Sequence, residues 1–223
     1  MPLMLNRTKY FRKLCLSGSF LVGLIGLSNT AKAQFIGINA DYAIDYSAAP
    51  GSVDGFSVGI SHPAPFIPNL GYSSVSFKDK DTVTDSSESK SSVLLETTTT
   101  IKTINLFYNV PFPVVTITVG FGYGADNLNI GMGTKTTVVE KTSSGTLKDL
   151  GTSDLETSAA EVFFHIGLPF WNTIEFHLGY HLMQVTSIDI TSNKTGDDAF
   201  QGTYNTKKNY TGGMTTIGVQ VAF

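Results

Sequence analysis

Seven acidic and imidazole side chains recur at alternating positions in three segments of the chain. Two imidazoles and a carboxylate could bind a divalent metal, and an imidazole beside a carboxylate could act as an acid–base pair. A hydrogen-bonded network that satisfies buried polar groups is the third interpretation. We predict the network, and therefore no catalytic residue, no metal and no cofactor. The seven residues are Asp41, Asp45, Glu161, His165, Glu175, His177 and His181.

The elements that must position these side chains are β-strands. Apolar and polar residues alternate with a period of two, which is the pattern of a strand with one apolar face. The faces of segment 70–77 are mixed, so this segment is predicted as a strand without an orientation. The eight predicted strands are 36–46, 56–61, 70–77, 103–110, 115–124, 161–168, 174–182 and 216–223.

The pairing of the sixth and seventh segments decides which side chains meet. These segments form a tight hairpin, and two registers are open. One places His165 opposite His177 and Glu161 opposite His181. The other is shifted by two residues and pairs His165 with Glu175.

The connections between the strands differ in length and polarity. Three short connections each carry a Pro-Phe dipeptide, and three of the other four are long and rich in Ser, Thr, Asp and Lys. This segregation is typical of a membrane barrel, which must close because lipid leaves no backbone group unpaired. A soluble sandwich is the alternative, and ten strands result if the loop hairpins are counted. The other connections are 47–54, 78–98, 126–158 and 188–209.

Aromatic residues are predicted to gather at both rims of such a barrel, where hydrocarbon meets headgroups. The rim with the short turns is expected to hold Phe66, Phe112, Phe170, Trp171 and Phe223. The rim with the long loops is expected to hold Tyr42, Tyr46, Tyr123 and Tyr180.

Residues 1–33 have the form of a cleaved secretory signal peptide. A basic region precedes an apolar run of about 14 residues, which is short for a membrane anchor, and the Ala-x-Ala motif predicts cleavage between Ala33 and Gln34. The remaining domain, 34–223, has no cysteine and hence no disulfide. It carries 10 lysines, no arginine and 18 acidic residues, a net charge of −8, which excludes nucleic-acid binding through a basic face.

The last strand carries Ile217, Val219, Val221 and the terminal Phe223 on one face. This ending resembles the C-terminal assembly signal of bacterial outer-membrane proteins. The whole mature chain resembles the small eight-stranded barrels of the OmpA transmembrane-domain and OmpX type. The resemblance implies an all-β, antiparallel, up-and-down transmembrane barrel of eight strands in the outer membrane. It also implies insertion by the outer-membrane assembly machinery, with the long loops outside the cell.

The barrel interior is predicted to be filled, because eight strands leave room for little more than side chains. Gly120, Gly122 and Gly124 leave space for Phe107, Phe163 and Met183, which form the expected plug. We expect a monomer with a structural or surface-interaction role, in contact with outer-membrane lipid and lipopolysaccharide. Extended loop hairpins with exposed edges could bind an extracellular partner. The alternatives are a narrow porin-like channel and, less favoured, a lipid-modifying enzyme.

Overall fold

The computed structural model describes residues 36–64, 66–84, 92–125, 131–142, 149–171, 173–194 and 202–223. The predicted signal peptide and its cleavage site lie outside these residues. Among them, no helix is long and apolar enough to cross a membrane. The strands are β1 (Gly37–Tyr46), β2 (Val53–Ser61), β3 (Asn69–Thr84), β4 (Ser92–Pro111), β5 (Thr116–Gly124), β6 (Gly133–Thr142), β7 (Asp149–Thr157), β8 (Ala159–Trp171), β9 (Ile174–Val185), β10 (Ile188–Lys194), β11 (Gly202–Lys208) and β12 (Gly212–Ala222).

Eight of these strands form a closed antiparallel barrel, which confirms the predicted fold class. The order around the barrel is β3, β2, β1, β12, β9, β8, β5 and β4, and pairing of β4 with β3 closes it. The turns β2–β3, β4–β5 and β8–β9 lie at one end, which we call the short-turn end. The opposite end, which we call the long-connection end, carries β6, β7, β10 and β11.

The alternation of residue types decides the two faces of the barrel wall. On β9, Phe176, Leu178 and Leu182 are more than half exposed, whereas His177 and His181 point inward and are buried. The same division holds around the barrel, so its outer surface is a continuous apolar band. A patch of this extent is unstable in water and is the face that a transmembrane barrel presents to lipid.

Strand β3, which the sequence alone could not orient, turns its odd-numbered residues inward. Ser73, Val75 and Phe77 are buried, while Leu70 is 56% exposed. The mixed faces have a structural cause, because β3 lines the polar lumen in its first half and an apolar core in its second. The inward-facing residues are therefore polar in the first half of β3 and apolar in its second half, although inward and outward positions alternate in the same way throughout.

The long connections continue as paired strands, as predicted. Strands β3 and β4 stay paired to their tips, Thr84 and Ser92. The first half of β4 pairs with β6 and the second half with β5, so this 20-residue strand belongs to both the barrel and the extension. Strand β7 pairs with β6, and β10 and β11 form a separate hairpin.

An apolar core closes the long-connection end, and we call it the apolar cap. Side chains from the barrel wall, from the β3–β4–β6 extension and from the β10 hairpin pack together there. Phe77 contacts both Tyr46 and Tyr210 edge-on, with ring centroids 5.5 and 4.9 Å apart. The cap comprises Ala43, Tyr46, Val75, Phe77, Leu95, Ile101, Val138, Ala159, Met183, Val185, Ile188, Ile190, Tyr210 and Met214.

The prediction that Tyr46 lies at the lipid rim is wrong. The pairing of β1 with β12 shifts between Ala43 and Asp45, so one extra residue turns the following side chains to the other face. Tyr46 is consequently buried in the apolar cap, where its hydroxyl donates a hydrogen bond to the Tyr210 carbonyl. Asp45, predicted to face the lumen, is exposed instead.

The other predicted rim aromatics lie on the outer surface. Tyr42, Tyr123 and Tyr180 are between 42% and 51% exposed near the long-connection end. At the short-turn end the exposed aromatics are Phe66, Phe112, Phe170, Trp171 and Phe223. On β12, Ile217 is exposed and Val219 and Val221 are half-buried, while Thr216 and Gln220 on the opposite face are buried.

Candidate functional site

Six of the seven predicted polar residues meet inside the barrel, and we call them the lumen cluster. All except Glu175 are buried, and the Glu175 side chain is only 14% exposed. Asp45 is the one that does not join them, because of the bulge in β1. The lumen cluster comprises Asp41 from β1, Glu161 and His165 from β8, and Glu175, His177 and His181 from β9.

Neither predicted register of the β8–β9 hairpin is correct. His165 lies opposite Gly179, and His177 lies opposite Gly167. A bulge between Pro169 and Trp171 shifts the pairing near the turn by one residue. In both pairs the histidine therefore lies opposite a glycine. The imidazole rings contact one another from positions that are not directly opposite in the ladder.

Glycines provide the space that these side chains occupy. Gly218 on β12 pairs with Asp41 on one side and His177 on the other. A Cβ atom at Gly218 would lie 2.1 Å from Asp41 Oδ1, and one at Gly179 would lie 2.6 Å from His165 Cδ2. Only glycine permits such close approach between a strand and a neighbouring side chain.

One arm of the cluster is a hydrogen-bonded chain through Glu161. Its carboxylate accepts hydrogen bonds from the hydroxyls of Ser73, at 3.0 Å, and Thr103, at 2.8 Å. His181 Nδ1 lies 3.3 Å from Glu161 Oε2, and His181 Nε2 lies 3.1 Å from His165 Nε2. An ionised carboxylate only accepts, so neutral His181 donates from Nδ1 and accepts from His165, whose Nδ1 then carries a lone pair.

The second arm holds His177 through Glu175. His177 Nε2 lies 2.8 Å from Glu175 Oε1, and Thr116 donates a hydrogen bond of 2.6 Å to Glu175 Oε2. Because the carboxylate accepts at Oε1, a neutral His177 donates from Nε2 and carries its lone pair on Nδ1. Both arms therefore end on an imidazole Nδ1 that is free to accept.

Asp41 lies where the two arms meet. Its Oδ1 is 3.7 Å from His177 Nδ1 and 3.9 Å from His165 Nδ1, distances too long for hydrogen bonds. Within the described chain, both Asp41 carboxylate oxygens and both Nδ1 atoms are buried without a hydrogen-bond partner. One ligand atom from each residue lies within 4.8 Å of the others, so the three side chains could hold a metal ion.

Aromatic rings fill the lumen beside the cluster. Phe163 stacks on His181 with centroids 4.9 Å apart, and Phe107 lies 6.4 Å from Phe163. A Cβ at Gly120 would lie 2.2 Å from the Phe163 ring, so the predicted use of this glycine is confirmed. Met183, by contrast, belongs to the apolar cap.

The space at the other two glycines of β5 is used differently from the prediction. Side chains of Asn105 and Glu161 lie against Gly122, whereas the backbone of Lys102 and Gly133 lies against Gly124. The lumen is thus filled partly by polar side chains and partly by close strand approach.

Sequence reasoning missed the hydroxyl and amide groups that support the cluster. Their signal was weak, because serine and threonine also fill the long loops. A useful signal was present on β4, where Thr103, Asn105 and Phe107 alternate with outward apolar residues. The missed residues are Ser73, Thr103, Asn105, Thr116 and Thr216.

No family model matches the chain, and no curated protein is significantly similar to it. Several solved outer-membrane proteins resemble its structure. A major outer membrane protein of Thermus thermophilus has a TM-score of 0.49 at 12% identity, with 86% of this chain and 100% of that chain covered. The outer membrane protease OmpT of Escherichia coli has a TM-score of 0.45 at 11% identity, with 85% of this chain and 94% of that chain covered.

Neisserial surface protein A, NspA, has a TM-score of 0.40 at 14% identity, with 87% of this chain and 100% of that chain covered. At these scores the likenesses carry no argument about this chain. The barrel, its apolar outer band and its filled lumen are the observations on which a function must rest.

Proposed function

We propose that this chain is an exported protein of the bacterial outer membrane with a structural role and a surface for interaction at its long-connection end. The observation that carries the proposal is the apolar cap, which fixes the extended strands against the barrel mouth. A cap of this kind supports a folded surface above the membrane. It also obstructs the lumen below it.

The filled lumen favours this role over a narrow channel. Buried side chains occupy the barrel at two levels: the Phe107 and Phe163 rings lie beside the lumen cluster, and the apolar cap lies at the long-connection end. Solute passage requires a continuous aqueous path, and buried side chains along the lumen oppose one.

The outer band and the chain ends support the location. The band would contact outer-membrane lipid and, on the side of the long connections, lipopolysaccharide. The aromatic Phe223 and the outward face of β12 provide the ending that the assembly machinery would recognise. Residues 1–33, which lie outside the described residues, would direct export and would then be removed by cleavage after Ala33.

An edge strand is the feature of the extension best suited to bind a partner. Strand β7 pairs with β6 on one side, and its other edge is unpaired within the described sheet. An unpaired edge can accept a strand from another chain. Asp154 on β7 is paired with Lys135 of β6 at 3.0 Å, whereas Glu156 is exposed and acidic, which favours a partner segment with basic side chains.

We propose no enzymatic role for the lumen cluster. Catalysis needs contact with a substrate, and the His165 and His181 side chains are at most 1% exposed. A lipid substrate in the outer leaflet would have no access to them through the barrel wall.

Planar-bilayer conductance of refolded mature protein tests the closed lumen. Folding is first verified by heat-modifiable gel migration. The expected result is no current above that of protein-free detergent, with a porin reconstituted in the same way as the positive control. Reproducible unitary openings would contradict the proposal and make transport the leading function.

The surface role is tested by removing the β6–β7 hairpin. Gly124 and Ala159 are direct partners in the β5–β8 ladder, so a two-residue turn can replace the residues between them. Cells displaying the wild-type chain are expected to adhere to epithelial monolayers or immobilised serum proteins. Cells displaying the shortened chain should adhere no better than cells without it. Equal adhesion of the two would contradict a role for this surface.

A further inference from the structure

We propose that Asp41, His165 and His177 form a buried divalent-metal site inside the barrel, and that Zn²⁺ is the ion it fits. The three side chains come from β1, β8 and β9 and converge beside Gly218 of β12. Two imidazole nitrogens and a carboxylate are a donor set that zinc prefers. The inference is independent of the surface role proposed above.

The distances suit a small ion. Tetrahedral zinc with bonds of about 2.0–2.1 Å holds its ligand atoms roughly 3.3 Å from one another. Asp41 Oδ1 is 3.7 and 3.9 Å from the two Nδ1 atoms, and all three ligand atoms lie within 4.8 Å. Binding therefore requires Asp41 Oδ1 to move about 0.4–0.6 Å closer to each Nδ1 atom, and the two imidazole ligand atoms to approach from a separation of up to 4.8 Å. A water molecule would be the fourth ligand.

The hydrogen-bond pattern leaves the centre with acceptors only. Glu175 fixes the proton of His177 on Nε2, and His181 fixes that of His165 on Nε2, so two lone pairs face the Asp41 carboxylate. These atoms are buried and have no partner among the described residues. A buried carboxylate facing two lone pairs is unfavourable unless a cation lies between them.

The supporting groups match those around known metal ligands. Metal-bound histidines donate their second nitrogen to a carboxylate or another acceptor, which fixes ring orientation. His177 has this contact with Glu175, and Glu175 in turn accepts from Thr116. His165 has it through His181, which contacts Glu161.

The charge balance also calls for a cation. Asp41, Glu161 and Glu175 bring three carboxylates into the lumen. In the described barrel no lysine lines the lumen beside them, and the mature sequence has no arginine. A divalent ion offsets most of this charge. The competing occupants are a proton, which would make His177 an imidazolium paired with Asp41, and a water molecule, which can donate to only two of the acceptors.

The test uses the complete mature chain without a histidine tag, refolded in detergent with ZnCl₂ or with EDTA. Unbound metal is removed by desalting, and zinc is measured by mass spectrometry. About one zinc per folded chain is expected after refolding with ZnCl₂ and none after refolding with EDTA. Refolding with Co²⁺ should give the intense visible absorption of a tetrahedral site.

Variants separate this site from adventitious binding. Asp41→Asn keeps the shape but removes the anionic ligand, and it is expected to abolish stoichiometric zinc binding. Glu175→Gln, a positioning change, should lower zinc affinity about 10- to 100-fold. His62→Gln is the matched control, because His62 lies at the short-turn end against Pro68 and Ala64, and it should bind as the wild type does.

The wild-type measurement is decisive even if a variant fails to fold. Folded wild-type protein that retains no zinc and gives no tetrahedral Co²⁺ spectrum would overturn the site, leaving a proton or water at its centre. Zinc retained equally by Asp41→Asn, or lost from His62→Gln, would also overturn it.

Discussion

Single glycines determine where the polar groups of this lumen can lie. Gly218 stands between Asp41 and His177, and Gly120 lies against the Phe163 ring. A narrow barrel has no spare volume, so a large side chain on one strand requires its absence on the neighbour. Each glycine thus leaves the space that a polar or aromatic side chain of a neighbouring strand fills.

Gly218→Ala is expected to destabilise the barrel. The new methyl would lie 2.1 Å from Asp41 Oδ1 and 2.5 Å from the backbone oxygen of Ala40, and overpacking of this kind costs about 1–3 kcal/mol. Urea unfolding in detergent measures the change. Gly51→Ala is the control, since no atom lies within 4 Å of its added Cβ, and its free energy of unfolding should be unchanged. Equal effects of the two changes would refute this packing role.

Tyr46→Phe is expected to weaken the apolar cap without disturbing its packing. The substitution removes the hydrogen bond to the Tyr210 carbonyl, and a lost bond of this type costs roughly 0.5–1.5 kcal/mol. The measurement is again urea unfolding, with Tyr42→Phe on the lipid face as the control. An unchanged midpoint for Tyr46→Phe would show that its hydroxyl contributes nothing to stability.

Among the elements, the β10–β11 hairpin is attached to the extension by the apolar cap and by Lys208, which contacts two carboxylates of β3. Lys208 Nζ lies 2.8 Å from Asp79 Oδ2 and 2.9 Å from Asp81 Oδ2. The hydrogen bond from Lys208 lowers the pKa of Asp81, whereas the same contacts outweigh burial and raise the pKa of Lys208. This contact positions the hairpin against the end of β3.

Lys208→Met should loosen this hairpin, and the effect should depend on pH. Because the pKa of Asp81 is lowered on folding, its contribution is present above the ordinary value of 3.8 and is lost as pH falls through the lower, folded value. Asp81 is half exposed, so we expect no more than about 1 kcal/mol. Hydrogen exchange of residues 202–208 should be faster in the variant near neutral pH and equal to wild type in strong acid. A difference that persists in acid would contradict the ion-pair explanation.

The sequence predicts some elements of this fold better than others. A period of two needs no long-range information, so the eight barrel strands and the inward position of His165 and His177 could be predicted. Register could not, because each bulge adds a residue that no local pattern marks. The bulge in β1 accounts for the errors at Tyr46 and Asp45. The β8–β9 ladder continues to Trp171 and Ile174, so its turn lies later in the chain than predicted and the register differs by two residues. Ser73, one of the hydroxyl partners of Glu161, could not be assigned, since β3 changes its environment midway.

For the whole molecule, the final residue is expected to matter for assembly more than for stability. Phe223 is 70% exposed on the outer surface, so Phe223→Ser removes little packing. If the C-terminal segment is an assembly signal, this variant should reach the membrane in smaller amounts in cells yet refold normally in detergent. Membrane fractionation and heat-modifiable migration measure the two quantities. Normal insertion in cells would argue against a signal at this residue.

The seam of the barrel joins its first and last strands, since Gly37 of β1 pairs with Ala222 of β12 and the Phe223 amide bonds to the Ile36 carbonyl. Such a contact spans almost the entire chain, and closing it carries the largest loop entropy in the molecule. A ribosome product that stops a dozen residues early lacks the whole of β12 and leaves both seam edges open. An unclosed cylinder would expose unpaired strand edges, which are templates for pairing with other chains.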